Sequence, residues 1–395
     1  MSDFRPFRGL RFAGDVQPRL APPYDVIAPD ERDRLAGEPE NIVHLTLPPG
    51  TVGERDYASA EEILERWIAQ GVLGRDARER FYVLRESTTD GRTRRGFLGA
   101  LRLADYEERV VLPHERTLPA AKRDRLLLTR AVRANLEPLF FLYEDRAGKL
   151  DAALDAACAG EALCGASGPD GTGLELFALE DEAQVETVCA FLADLPVVIA
   201  DGHHRYETMR SYRDECRESG ASDGRDAGPE FVMGYLVNAF DPGSAVAAIH
   251  RVLRGELAPL ERVLTELAFE SEVLPELDAP ALLARIAEWA TERHAYGVAL
   301  PGGELRLVSR PRGDALDVQV LHDELLPRLR GELSFDARPA RLLETLRESR
   351  ASLGIFLHPL DPDGLFRVVQ DGILLPEKST FFTPKVPSGL VLRSF

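Results

Sequence analysis

The sequence predicts an α+β fold: a mixed sheet with flanking helices, carrying a strand–DGHHR–helix element within a larger two-part chain. Three observations lead there. Apolar runs of strand length recur between turn residues, as at Leu139–Tyr143 and Phe231–Ala239. Helical amphipathic stretches alternate with them, the clearest being Tyr57–Gln70, which stops near Gly71. Finally, Leu195–Ala200 reads as a buried strand that ends at Asp201-Gly202 and gives way to a polar helix from His203. Glycine permits the sharp turn between such elements.

Taken in order, residues 1–50 are proline-rich, with a short helix over Asp30–Leu35 and a strand over Ile42–Leu47. Phe81–Glu86 and Gly96–Leu103 form two strands joined across Thr88-Thr89-Asp90-Gly91, a hairpin signal. A helix near Lys122–Asn135 precedes the strand Leu139–Tyr143. Small residues and glycine dominate 150–173, before a strand at Leu174–Leu179 and a helix at Glu182–Asp194. The polar stretch 217–230 reads as a mobile loop. Beyond residue 255 helices and strands alternate: helices at Leu260–Leu267 and Pro280–Arg293, then a hairpin of Tyr296–Leu300 and Leu305–Ser309 across Pro301-Gly302-Gly303. Val318–Arg328, Ala340–Ser349 and a strand at Gly354–His358 follow. The expected organisation is an N-terminal α/β region, 1–255, and a C-terminal one, 256–395, whose last segment returns to a cleft.

At 395 residues, with 44% hydrophobic and 29% charged residues, the chain has ample material for a globular core. A net charge of −18 argues against affinity for a nucleic-acid backbone, while leaving room for a local basic pocket. The four cysteines have neither C-x-x-C spacing nor histidine partners at zinc-finger distance, so free thiols are expected. No apolar run reaches membrane-spanning length, and MSDFRPFRGL lacks a signal-peptide core. The expectation is a cytoplasmic protein with no membrane partner.

Candidate chemistry centres on Asp201-Gly202-His203-His204-Arg205. A helix N-terminus presents unpaired N–H groups and partial positive charge, and a guanidinium adds forked donors, which together suit a phosphate or carboxylate. The competing readings are an ordinary helix stapled by His203 and Glu207, and a metal site on that same face. The segment 112–131 supplies His114, Glu115, Arg116, Lys122, Asp124 and Arg125, from which a base, a cation clamp or a metal carboxylate can be drawn. A salt-bridged helix start accounts for the same charges. In APPYDVI the two prolines stiffen the chain before Tyr24 and Asp25, and Asp25 is either a metal ligand or base, or a turn residue. Lys378 and Lys385 lie in the proline-bounded run LLPEKSTFFTPKVPSGLVL, which has no Walker glycine loop before it. His250-Arg251 offers another basic pair, which as a lone pair reads as structural, and Arg94 and Arg95 on the first hairpin carry no weight by themselves.

In order and spacing, PPYDVI, NIVHL, PHERT with K-x-D-R, ADGHHRYET, HRVL and PEKSTFFTPKVPSGL resemble the domain-of-unknown-function 1015 family across nearly the whole chain. Its sequences are sometimes labelled as ParB-family proteins. The DGHHRY element in turn resembles the phosphate-binding motif of the ParB/sulfiredoxin superfamily, which includes CTP-dependent partition proteins, ATP-using sulfiredoxins and free serine kinases. That resemblance implies that Gly202, His203, His204 and Arg205, with Asp201, hold a nucleotide or substrate phosphate. His203 stands where sulfiredoxin has its reactive cysteine, which disfavours sulfinic-acid repair. The negative charge and the lack of an evident helix-turn-helix disfavour partition. The implied activity is phosphoryl transfer to or from a small anionic metabolite, serine or phosphoserine, with ATP or ADP and Mg²⁺. In that reading Asp25, His114, Glu115, His204 and Lys378 carry the chemistry. Lys122, Arg125 and Lys385 help hold phosphate, and Asp25 and Glu207 are the metal candidates. The rival expectations are a nucleotide-sensing regulator without turnover and a metal-dependent hydrolase using His203, His204 and Glu207.

Overall fold

The computed structural model describes residues 2–115, 119–168, 170–221, 228–348 and 350–395. Arg116 and the middle of the 217–230 stretch therefore lie outside the described residues. The chain divides into two compact units, Met1–Ala245 with Pro384–Phe395, and Val246–Thr383.

The first unit is built on a nine-stranded mixed sheet. Its strands are β1 (Phe4–Arg5), β2 (Phe81–Ser87), β3 (Thr93–Arg102), β4 (Val111–Leu112), β5 (Leu139–Tyr143), β6 (Cys164–Ser167), β7 (Gly173–Leu179), β8 (Val197–Asp201) and β9 (Phe231–Asn238). Their spatial order is β4-β8-β5-β9-β3-β2-β7-β6, with β1 alongside β3. The β4/β8 and β5/β9 pairs are parallel and the remaining pairs antiparallel. β5 and β9 are buried along their whole length, which is why they read as unbroken apolar runs. The predicted hairpin is β2–β3, and the helix at Tyr57–Ala69 starts on an Asp56 cap that accepts the Ser59 N–H at 3.1 Å.

The second unit holds a six-stranded antiparallel sheet of β10 (His250–Arg254), β11 (Glu270–Leu274), β12 (Arg293–Ala299), β13 (Leu305–Pro311), β14 (Glu332–Asp336) and β15 (Leu353–Leu357), ordered β11-β13-β12-β15-β10-β14. Side chains alternate between two cores: Leu253, Ile355 and Leu357 face one, Val252 and Phe356 the other.

Three expectations are corrected. Residues 42–47 form a helical turn, Val43–Thr46, rather than a strand. Asn41 dictates this: its side-chain oxygen takes the Val43 N–H, and its amide donates to the Pro18 and Leu20 carbonyls. Because the turn is buried on nearly every side, its sequence has no helical periodicity. The break between units falls at Ala245–Val246 rather than at 255, since β10 is an inner strand of the second sheet. The final residues, 384–395, belong to the first unit: Ser388 bridges Ala21, Leu392 bridges Leu10, and Arg393 pairs with Asn135. Elements also arise where no expectation was formed, at Asp151–Cys158, Cys164–Ser167 and Pro362–Gln370.

Candidate functional site

Parallel pairing decides what meets at one edge of the first sheet. Because β4 and β8 run in the same direction, Pro113-His114-Glu115 leaves the sheet beside Asp201-Gly202. Because β5 runs against β8, Glu137-Pro138 enters at that edge. The β8/β5 register slips between Ile199 and Asp201, an irregularity that re-aims the last residue of the strand. Gly202 then adopts φ 99°, ψ 27°, a conformation that favours glycine, and the helix His203–Glu218 begins. No described side chain caps that helix. A Cβ on Gly202 would lie 3.1 Å from an Arg205 guanidinium nitrogen, so the glycine also makes room for Arg205.

Asp201 is the hub of this edge. Arg205 Nη2 donates to its carboxylate at 3.0 Å, and the Lys385 ammonium donates to the other oxygen. Burial pushes the Asp201 carboxyl upward, but Lys385 and then Arg205 outweigh it and hold the group well below the usual range, at about 2. Arg205 Nη1 donates to the Pro138 carbonyl at 2.9 Å and lies 3.8 Å from Glu137. Glu137 in turn accepts the Tyr24 N–H at 3.0 Å and the Ser388 hydroxyl at 2.7 Å. Four distant segments thus converge: PPYD, the residues just before β5, the DGHHR turn and the C-terminal segment 384–395.

His203 behaves differently from a phosphate clamp. His203 is buried, and its Nε2 accepts the His114 backbone N–H at 3.3 Å. Burial, with His114 adding to it, lowers its pKa to about 3, so the ring is neutral near pH 7. His203 therefore braces the turn from inside, against the edge of the His114 ring at 4.6 Å. His114 is itself buried; Nδ1 donates to the Ile199 carbonyl at 2.7 Å and Nε2 lies 3.5 Å from Glu115. His204 is half-buried. Glu207 holds the Lys122 ammonium at 2.6 Å. Among the described residues no group of three or more His, Cys, Asp or Glu side chains is placed to hold a metal ion.

Beside this edge lies a cleft of about 660 Å³, whose lining includes Tyr24, Asp25, Arg32, Val52, Arg55 and Asp124. Asp124 accepts the Gly53 N–H at 2.9 Å and the Tyr57 hydroxyl at 2.7 Å, pairs with Arg125, and has Arg55 at 3.3 Å. Burial works against its charge, but Arg125 and these donors lower its pKa. The Arg125 guanidinium lies over the Tyr24 ring at 4.2 Å, which ties the cleft to the Glu137–Arg205 pair. Asp25 is exposed at the rim, as are Val26 and Val52. Lys378 is an exposed residue of the second unit with φ 57°.

Sequence reasoning passed over Glu137 and Arg55, and named Tyr24 only as a residue held in place by the prolines before it. The one available signal was Glu137-Pro138, a carboxylate set directly before a wholly apolar strand.

The fold and this edge define an α+β protein whose mixed sheet presents a strand–glycine–helix turn where two parallel strands end. The chain belongs to the family described as Protein of unknown function (DUF1015), which matches residues 4–326. Comparison with curated proteins found no match. Solved structures with a similar fold include a free serine kinase in complex with AMP, 13% identical, covering 71% of this chain and 89% of that one at a TM-score of 0.38. SbnI with C-terminal truncation from Staphylococcus aureus is 12% identical, covering 75% of this chain and 87% of that one at a TM-score of 0.40. A conserved hypothetical protein from Pyrococcus furiosus is 14% identical, covering 72% and 92% at a TM-score of 0.34. These likenesses concern the fold alone.

Proposed function

We propose that the chain binds a nucleotide, ATP or ADP, at the Asp201–Arg205 turn and transfers a phosphoryl group to or from a small metabolite. Serine or phosphoserine is the metabolite that the motif resemblance implies. The observation carrying this reading is the helix N-terminus at Gly202, uncapped by any described side chain, with Arg205 and Lys385 drawn to it through Asp201. Phosphoryl transfer requires clamped oxygens and a placed nucleophile more than covalent help from the protein.

A guanidinium carries five N–H groups. Arg205 directs one at Pro138 and one at Asp201, which leaves donors for a phosphate oxygen. Lys385 would shift from Asp201 toward an incoming phosphate and offset the charge there. Mg²⁺ retains most of its water and takes one or two carboxylates together with substrate phosphates. The residues present fit that modest demand: Asp25 at the cleft rim and the part-buried Glu115 are the carboxylates that would hold it. Bound there, it would draw charge from the phosphate oxygens. Asp25 or Glu115 would also take the proton of a substrate hydroxyl, with His114 orienting Glu115.

The test is calorimetric titration with ATP, ADP and AMP, with and without Mg²⁺, followed by an assay for phosphoserine formed from serine. Loss of charge-assisted hydrogen bonds in Arg205→Ala should weaken nucleotide binding about ten- to a hundredfold. Equal affinity in wild type and variant, with a cooperative melt in both, would remove Arg205 from the binding role. Tight binding without product would leave a nucleotide sensor.

A further inference from the structure

The helices Pro119–Val132 and His203–Glu218 do not close completely against each other. Between them lies a second cavity, of about 50 Å³, reached by Thr46, Arg125, Thr129, Glu137, Arg205 and Thr208. A water needs about 10–15 Å³ by this kind of measure, so the space accommodates a guest of a few heavy atoms.

Its polar lining is unbalanced in one direction. Thr46 is fully buried, and among the described residues its hydroxyl has no hydrogen-bond partner. A buried polar group left unsatisfied is costly, and such groups are found paired. Arg125 spends its donors on the Thr46 carbonyl and on Asp124; Arg205 spends two on Pro138 and Asp201. Each guanidinium retains N–H groups beyond these. Thr129 and Thr208 donate their hydroxyl protons to the Arg125 and His204 carbonyls of the preceding turn, so their oxygens add little further donor capacity. Glu137 is the one acid on the wall, and it already receives Tyr24 and Ser388. On the wall itself the charged groups are Arg125, Arg205 and Glu137, and Asp124 and Asp201 pair with the two guanidiniums from outside it. Asp25, exposed at the neighbouring rim, also acts on Arg205 electrostatically.

We infer that this cavity is a site for one small monoanionic oxyanion group, the carboxylate of a short organic acid, received by Thr46, Arg125 and Arg205. The guest supplies acceptors where the wall supplies donors. The inference deepens the proposed function by naming a carboxylate as part of the substrate, and it rests on that reading only for the substrate's identity. Binding of the carboxylate itself requires neither nucleotide nor turnover.

The experiment measures the binding of ¹³C-labelled acetate and glycolate to the full chain by NMR line broadening, beside inorganic phosphate, with no nucleotide present. Saturable carboxylate binding that exceeds phosphate binding is the expected result. Thr46→Val is close to isosteric and removes only the hydroxyl. It should weaken carboxylate binding about tenfold, the size of one hydrogen bond to a charged group. Without carboxylate it should melt at or above the wild-type temperature, because an unsatisfied buried donor has gone. Lys385→Ala should leave carboxylate binding within about twofold while weakening nucleotide, which separates this site from the phosphate cradle. Phosphate preferred over acetate would assign the cavity to inorganic anions and overturn the carboxylate. No saturable binding, or equal binding by Thr46→Val, would mean that the cavity holds solvent only.

Discussion

Two ionic clusters in the first unit invite comparison. One consists of Arg94, Glu86 and Tyr235. Arg94 donates to both carboxylate oxygens of Glu86 at 2.6 and 2.7 Å and to the Pro384 carbonyl at 2.6 Å. The Tyr235 hydroxyl donates to Glu86 at 2.6 Å, and the guanidinium lies over the Phe140 ring at 4.9 Å. Arg94 and Glu86 are 1% and 0% exposed. The other cluster is Asp201, Arg205 and Lys385, whose side chains are 12–20% exposed. Similar chemistry serves different ends: the first is sealed and saturated, the second is reachable and has donors to spare. The first also anchors Pro384, the residue before Lys385, and so holds the C-terminal segment where Lys385 meets Asp201.

The sealed cluster should give the largest effect when cut. Arg94→Met leaves the Glu86 carboxylate buried without its partner, a situation that costs about 3–5 kcal/mol. Urea unfolding measures it directly. Removing both charges in Glu86→Leu/Arg94→Met should recover much of the loss, because apolar groups of similar volume often replace a buried pair with little penalty. A single-variant loss below about 1 kcal/mol would show that water reaches Glu86 after all, and the contrast between the clusters would collapse.

Acid should act next, and through the open edge. His203 has a folded pKa of about 3 against an ordinary value near 6.5. The unfolded chain takes up this proton at higher pH than the folded chain does, so the contribution is fully present above about 6.5. It is lost progressively as pH falls from there toward 3. Asp201 follows in a lower window, from the ordinary carboxylate range down to about 2, because its depressed pKa means the folded state prefers the charged form. The expected loss over the upper window is on the order of a few kcal/mol. Stability measured from pH 7 to 4 should therefore fall less steeply in His203→Asn than in wild type. Parallel slopes would place the sensitivity elsewhere in the chain.

This contrast was only partly legible in the sequence. The strand–glycine–helix turn was readable because it is local: an apolar run, a glycine and a polar helix lie within a dozen residues. Arg94 and Arg95 show the opposite case. Strand alternation sends neighbours to opposite faces, but only the sheet order decides which face is sealed. Here Tyr235 of β9 and the C-terminal segment at Pro384 bury Arg94, while Arg95 reaches Asp155 at the surface. Glu137 was hidden for a similar reason, since its partners Tyr24, Arg205 and Ser388 lie 113, 68 and 251 positions away. His203 carried the right residue type for an anion site, yet the parallel pairing of β4 with β8 brings His114 onto its ring and turns it inward. Long-range pairing, absent from any local pattern, made each of these assignments.

The smallest effect should come from the neighbouring pair Lys122–Glu207, joined at 2.6 Å with side chains 34% and 23% exposed. Glu207 lies two residues beyond Arg205 on the helix His203–Glu218, with Lys122 on the helix Pro119–Val132, and the pair looks on paper like another member of the open cluster. Its exposure argues otherwise. A pair this accessible is screened by solvent, and the cost of fixing a long lysine chain offsets most of the attraction, so such pairs contribute between zero and about 1 kcal/mol. Lys122→Met should therefore change unfolding stability by less than about 1 kcal/mol, with the difference shrinking further as salt shortens the reach of the charges. Paired urea titrations of wild type and variant at low and high salt measure both quantities. A loss above about 2 kcal/mol that persists in high salt would mean that Lys122 is bound into the edge as firmly as Arg94 is bound into the core. The boundary between the open and sealed clusters would then have to be drawn on the solvent side of Glu207.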